Sequence, residues 1–197
     1  RITFDELEGD ILESATNYFH AIKSPSVEIK KGTSNSGVVF DELINDYVEF
    51  TSPPLQDFTI SGFFKRNNNV LQESHAITPK TLNKSGNVYL NLRNGNNGIS
   101  FKVENNEGGF TNLIEVSNVI NDDNFHNVII TRIGNVLKAY VDKVEVFSNT
   151  ITIETPIFNY IHILGNNIHS NSLGYIGEID DFRIYNKGID QTQIDEV

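Results

Sequence analysis

The chain has 197 residues, no cysteine and a formal net charge of −11, from 26 acidic and 15 basic residues. The absence of cysteine excludes disulfides, thiolate metal sites and thiol nucleophiles, and the acidic balance argues against nucleic-acid binding, which needs a concentrated basic face. No apolar run is long enough to span a bilayer, so we expect no membrane insertion. The length predicts a single domain over residues 1–197. Since the chain opens on Arg1 without a signal-like leader, we expect a fragment of a larger protein with other domains.

The first 36 residues carry the weakest pattern. Ile2 and Phe4 predict a short opening strand, the polar stretch 5–18 a long loop, and Val27 with Ile29 a second strand. From Gly37 the pattern is clearer, because short apolar runs alternate with clusters of turn residues. Three strands are predicted here, the last of them in the middle of a sheet because it is almost wholly apolar: 38–40, 47–50 and 58–64.

Two hairpins follow. Residues 88–93 and 99–104 alternate strictly between apolar and polar, which is typical of half-buried antiparallel strands joined by the turn residues 94–98. Residues 128–133 and 136–141 are joined by only Gly134 and Asn135, a strong short-range hairpin signal. Further strands are predicted at 144–147, 151–153, 161–164 and 175–185.

The end of the chain changes period. Asp190 is followed three residues later by Gln193, which predicts a capping box and a short helix starting at Asp190. Ile189 and Ile194 flank this box at the spacing of an apolar staple. The sequence therefore predicts an all-β, two-sheet antiparallel β-sandwich with a short C-terminal helix.

The order of motifs resembles the laminin G-like, concanavalin A-like jelly roll, in the branch found in bacterial and viral surface proteins. The stretch Phe58-Thr59-Ile60-Ser61-Gly62-Phe63-Phe64-Lys65 is similar to the family's "F-T-I-S-x-W-V-K" strand, and Tyr140-Val141-Asp142 to its "Y-V-D-G" hairpin. The most specific stretch is Tyr175-Ile176-Gly177-Glu178-Ile179-Asp180-Asp181-Phe182-Arg183-Ile184-Tyr185-Asn186, close to "F-x-G-x-I-D-D-V-R-I-Y-N". The sequence departs from the family at Phe63 and Phe125, where Trp is usual, and at Lys143, where Gly is usual.

The resemblance implies one structural Ca²⁺, held by Asp180, Asp41 and Asp5 between the last long strand, the loop after "F-D" and the opening strand. Carboxylate oxygens from separate segments suit this hard cation. The alternative is that Asp180 accepts hydrogen bonds from loop backbone and binds no metal. The five histidines have no zinc-ligand spacing and are interpreted as hydrogen-bonded structural residues.

Glycoside hydrolysis is the one serious enzyme hypothesis. Laminarinase-type relatives of the fold carry E-x-D-x-x-E on one strand, and this chain has Glu178 and Asp180 but Arg183 in the third place. A cation cannot replace the second catalytic carboxylate, so we expect no enzyme activity.

Sugar binding needs an exposed aromatic ring with polar groups beside it. Tyr89 shares the polar side of its strand with Asn91 and Arg93, and Tyr140 lies on the polar side of another strand, so these four residues are the predicted ligand-binding residues. The alternative is that both tyrosines are ordinary cross-strand aromatics on a sheet surface.

These observations predict a non-catalytic recognition or adhesion module that binds a carbohydrate or a receptor protein. It would belong to an extracellular, cell-surface or virion (tail or fibre) protein. The alternative is a structural or assembly module of a surface or virion fibre with no small ligand, and glycoside hydrolysis ranks third.

Overall fold

A computed structural model gives the architecture, and it describes residues 11–13, 20–23, 27–31, 36–40, 46–66, 73–93, 97–105, 109–152, 157–158, 160–165 and 174–195. These residues form fifteen strands and one helix. The strands are β1 (Ile11–Glu13), β2 (His20–Lys23), β3 (Glu28–Lys31), β4 (Ser36–Phe40), β5 (Val48–Thr51), β6 (Phe58–Arg66), β7 (Glu73–Pro79), β8 (Val88–Arg93), β9 (Gly98–Glu104), β10 (Phe110–Val116), β11 (Phe125–Ile133), β12 (Val136–Val141), β13 (Val144–Thr150), β14 (His162–Leu164) and β15 (Gly177–Tyr185), and the helix is α1 (Gln191–Asp195).

The strands form two antiparallel sheets. One has eight strands in the order β1-β2-β5-β14-β7-β8-β9-β10, and the other has seven in the order β13-β12-β11-β6-β15-β4-β3. The main apolar cluster draws on both sheets, for example through Leu90 and Phe101 of the first and Ile60, Ile130 and Phe182 of the second. The predicted two-sheet sandwich with a short C-terminal helix is confirmed.

Strand β6 lies at the centre of the seven-stranded sheet, between β11 and β15, as its apolar composition predicted. Both predicted hairpins are present, as β8–β9 and β11–β12. Gly134 takes a positive φ of 58° in the tight turn between β11 and β12. That conformation is one that glycine adopts at little cost.

From residue 37 onward, the sequence missed β7 and β10 and placed one strand wrongly. Both missed strands contain a β-bulge, between His75 and Ile77 in β7 and between Asn112 and Ile114 in β10. A bulge adds a residue and breaks the period-two alternation on which the predictions rest. The predicted strand at 151–153 is wrong, because β13 ends at Thr150 and Ile151 and Thr152 are not in a strand.

The N-terminal predictions are only partly open to comparison. The opening strand predicted at Ile2 and Phe4 lies outside the described residues. The sequence predicted neither β1, which lies in the stretch interpreted as a long loop, nor β2. The two strands pair at the edge of the eight-stranded sheet. The second predicted strand is present as β3.

The C-terminal capping box is confirmed. The backbone N–H of Gln193 donates to the Asp190 carboxylate at 3.1 Å, and the Asp190 N–H donates to Gln193 Oε1 at 3.2 Å. Ile189 and Ile194 pack with Ile129 and Tyr140 in a second apolar cluster. The helix therefore covers part of the outer face of the seven-stranded sheet.

Candidate functional site

The predicted residues Tyr89 and Asn91 lie on the outer face of the eight-stranded sheet. Their strand neighbours Val88, Leu90 and Leu92 belong to the main core, so the alternating side chains of β8 point away from it. In register, Asn91 lies between His75 of β7 and Ser100 of β9. The sequence-derived assignment of the two faces of β8 is confirmed.

Tyr89 is nevertheless buried, with an exposed fraction of only 6%. Its ring makes edge-to-face contacts with His75 (centroids 6.4 Å apart) and with Phe110 of β10 (5.1 Å). Phe110 itself is 53% exposed. The exposed aromatic ring at this place is therefore Phe110, which sequence analysis missed because β10 has no regular alternation.

Two polar atoms in this cluster lack partners. The Tyr89 hydroxyl and the Asn91 Oδ1 are buried and form no hydrogen bond with any described residue. The Asn91 amide nitrogen donates to Ser100 Oγ at 3.2 Å. A buried polar group without a partner destabilises the folded state by about 1–3 kcal/mol. The Tyr89 hydroxyl and Asn91 Oδ1 therefore each lower the stability of the fold.

The protonation state of Tyr89 is fixed by its surroundings. Burial, and secondarily the nearby Glu104 carboxylate, raise the pKa of Tyr89. The Glu104 side chain is itself buried and accepts a 2.6 Å hydrogen bond from the Asn87 amide. The Tyr89 hydroxyl therefore remains a neutral hydrogen-bond donor throughout the physiological pH range.

The structure does not bring the four predicted ligand-binding residues together. Arg93 ends β8 opposite Gly98, and its side chain lies outside the described part of the chain. Tyr140 belongs to β12 of the other sheet, where it is 1% exposed. Its hydroxyl donates to Glu145 Oε2 at 3.3 Å, and it lines a groove of about 210 Å³ beside Ile189. Tyr140 was placed correctly on the polar side of its strand, but α1 covers that side.

The predicted calcium site stays a prediction. Asp180 is 1% exposed in β15, whereas Asp41 and Asp5 lie outside the described residues. Across the described ranges, no three His, Cys, Asp or Glu residues form a group that could hold a metal ion.

Two carboxylates of the acidic motif of β15 form ion pairs. Glu178 accepts a 2.6 Å hydrogen bond from Lys65. The Arg183 guanidinium donates to both carboxylate oxygens of Asp181, two residues earlier on the same strand. The residue in place of the second catalytic carboxylate thus neutralises a neighbouring acid. This geometry offers no pair of opposed carboxylates from Glu178 and position 183.

Two histidines have structural partners. His162 is fully buried and accepts a hydrogen bond from the Val88 N–H. His126 lies within 2.7 Å of Asp142 and 3.0 Å of Asp122. Partial burial alone would lower the pKa of His126, but its bonds to the two carboxylates outweigh that effect and raise it.

Comparison with known proteins gives the family. Residues 41–195 match the sequence profile of the concanavalin A-like lectin/glucanases superfamily. The chain belongs to this superfamily. No curated protein matches the chain.

Solved structures with this concanavalin A-like fold include binding domains of clostridial toxins. The binding domain of Paraclostridial Mosquitocidal Protein 1 is 18% identical (TM-score 0.74), with 96% of this chain and 49% of that chain covered. The receptor binding domain of botulinum neurotoxin type G is 18% identical (TM-score 0.69; 96% and 48% covered). The ligand binding domain of botulinum neurotoxin serotype D in complex with N-acetylneuraminic acid is 16% identical (TM-score 0.72; 94% and 47% covered).

These similarities show the fold. The concanavalin A-like chain spans about half the length of each of these structures. Within the described residues, no helix is long and apolar enough to cross a membrane.

Proposed function

We propose that this concanavalin A-like domain is a non-catalytic recognition module that binds a carbohydrate at the outer face of its eight-stranded sheet. The observation that carries the proposal is the unpartnered hydroxyl of Tyr89, whose ring packs edge-to-face against the half-exposed ring of Phe110. A sugar could supply both an acceptor for the Tyr89 hydroxyl and a stacking partner for the Phe110 ring. Its apolar face stacks on aromatic rings, and its hydroxyls bond to polar groups beside them.

Access to the Tyr89 hydroxyl requires a side-chain movement. The Tyr89 hydroxyl has no contact with solvent in this structure. The half-exposed Phe110 ring packs edge-to-face against the Tyr89 ring, and we infer that a change in its rotamer on binding opens a path to the hydroxyl. A ligand hydroxyl that accepts from Tyr89 would then remove the unsatisfied-donor penalty of about 1–3 kcal/mol.

The comparisons favour binding over catalysis. The similar solved structures are binding domains of toxins, one of them in complex with a sugar acid. We infer that this domain likewise belongs to a secreted or surface protein with further domains. Its partner is then a glycan, free or carried by a receptor.

The test is a glycan array followed by titration of the hits with variants. Tyr89→Phe removes the unpartnered hydroxyl, so it should weaken glycan binding by about tenfold while leaving the melting temperature unchanged or higher. Tyr140→Phe is the matched control. It removes a hydroxyl that is bonded to Glu145 in the other sheet, so it should leave glycan binding intact.

A second pair of variants tests the stacking ring. Phe110→Ala should abolish binding, whereas Tyr160→Ala, which removes another half-exposed aromatic ring (42% exposed), should not. Equal binding by wild type and Tyr89→Phe would overturn the proposed site. An array without reproducible hits would overturn carbohydrate binding and favour the structural or assembly alternative.

A further inference from the structure

The outer face of the eight-stranded sheet carries a lysine, Lys102, next to Tyr89. Lys102 belongs to β9, where its neighbours Phe101 and Val103 face the core, so its own side chain leaves the strand on the outer face. In register it lies directly opposite Tyr89 on one side and Asn112 of β10 on the other. Directly opposed residues on one face of a sheet have Cβ atoms about 4.5–5.5 Å apart, so the Lys102 and Tyr89 side chains leave neighbouring strands side by side.

The Lys102 ammonium group forms no ion pair or hydrogen bond with any residue that the structure describes. Three other lysines are paired with glutamates at 2.6–2.7 Å, namely Lys65, Lys80 and Lys138. Glu104, two residues along β9, already accepts from Asn87 and is buried.

Two neighbouring donors define the chemistry of the group they would bind. The Tyr89 hydroxyl and the Lys102 ammonium can both donate hydrogen bonds, and each lacks an acceptor among the described residues. A carboxylate or a sulfate only accepts hydrogen bonds and carries the opposite charge, so its bonds to these donors would be charge-assisted and stronger than those of a neutral hydroxyl.

We propose that the ligand of this site is an acidic sugar, whose carboxylate or sulfate is bound by Lys102 and Tyr89 while its ring packs against Phe110. This inference rests on the proposed carbohydrate-binding function and names the class of sugar. The negative net charge of the domain repels anions at long range. The attraction for an acidic sugar must therefore come locally, from the Lys102 ammonium group.

The experiment compares matched acidic and neutral glycans by isothermal titration calorimetry with the whole chain. One pair is hyaluronan oligosaccharides and their carboxyl-reduced forms, which tests a carboxylate. The other pair is keratan sulfate and its desulfated form, which has no uronic acid and is neutral, so this pair tests a sulfate. We expect at least one acidic form to bind tenfold or more tightly than its neutral counterpart, with an affinity that falls as salt is raised.

Variants assign that preference to Lys102. Lys102→Gln should remove the tenfold preference without changing affinity for the neutral form, and Lys102→Arg should retain it. Lys138→Gln, which neutralises a lysine on the other sheet, should leave the preference unchanged. If the chain binds the acidic and neutral forms equally, and Tyr89→Phe weakens the binding of both, the acidic-sugar inference is overturned but carbohydrate binding is supported. A chain that binds none of the glycans overturns both.

Discussion

The imidazole of His162 accepts a 3.0 Å hydrogen bond from the backbone N–H of Val88, the first residue of β8. The other ring nitrogen donates to the Tyr160 carbonyl at 2.8 Å, which fixes the neutral tautomer with its proton on Nδ1. The ring packs against Phe158 and Phe50, with centroids 4.8 and 5.9 Å away. His162 thus joins the start of β8, the strand that carries Tyr89, to β14 through the core.

His162 makes the stability of the domain depend on pH. Burial lowers the pKa of His162 from 6.5 to about 4, although its bond to the Tyr160 carbonyl acts in the other direction. The unfolded chain therefore binds this proton more readily, and its contribution to stability is lost as pH falls from about 6.5 towards 4. We expect a loss of about 2 kcal/mol between pH 7 and pH 5, measured by urea unfolding.

Two variants test this assignment. His162→Gln keeps an acceptor near Val88 but cannot titrate, so its stability should change less between pH 7 and pH 5. His126→Gln should act in the opposite direction. The raised pKa of His126 means that its contribution is present at low pH and lost as pH rises, so its removal should steepen the fall in acid. An unchanged slope in His162→Gln would contradict the assignment.

Features that depend on residues close together in the sequence were predicted correctly. Features that depend on contacts between distant segments were not. The capping box of α1 needs only Asp190 and Gln193, and both of its bonds are present. The burial of Tyr140 depends on α1 folding back over β12, and the contact of Tyr89 with Phe110 depends on the pairing of β8, β9 and β10. Strand alternation could identify the outward face of each strand but not what covers it.

The predicted calcium ion can be tested without knowledge of its full ligand set. If Asp180 helps to hold Ca²⁺, saturation at about 100 times the dissociation constant adds about 2.7 kcal/mol of stability. EDTA should then lower the melting temperature by about 5–10 °C in a chain of this size. Asp180→Asn should remove the effect of EDTA. Glu145→Gln, which removes the charge from an exposed ion pair with Lys138 between β12 and β13, should not. Identical melting curves in Ca²⁺ and EDTA would exclude a stabilising ion.

The cap of α1 should contribute measurably to stability. Asp190→Ala removes the carboxylate that accepts from the Gln193 N–H and should cost about 1 kcal/mol in urea unfolding. Asp190→Asn keeps an oxygen acceptor, so it should cost only a few tenths of a kcal/mol. If both variants lose the same amount, the charge of Asp190 rather than its cap bond is what stabilises the end of the chain.

Two glycines with positive φ should differ sharply when they are replaced by alanine. Gly165 has a φ of 93°, and a Cβ there would overlap the Phe40 ring, which itself packs edge-to-face on Tyr175. Gly134 has a φ of 58° and no atom within 4 Å of such a Cβ. Gly134→Ala should therefore cost only the left-handed backbone term of about 1–2 kcal/mol. Gly165→Ala should add the displacement of a buried ring and lower stability by at least about 3 kcal/mol in urea unfolding. Equal losses in the two variants would show that Phe40 does not hold the turn after β14 in place.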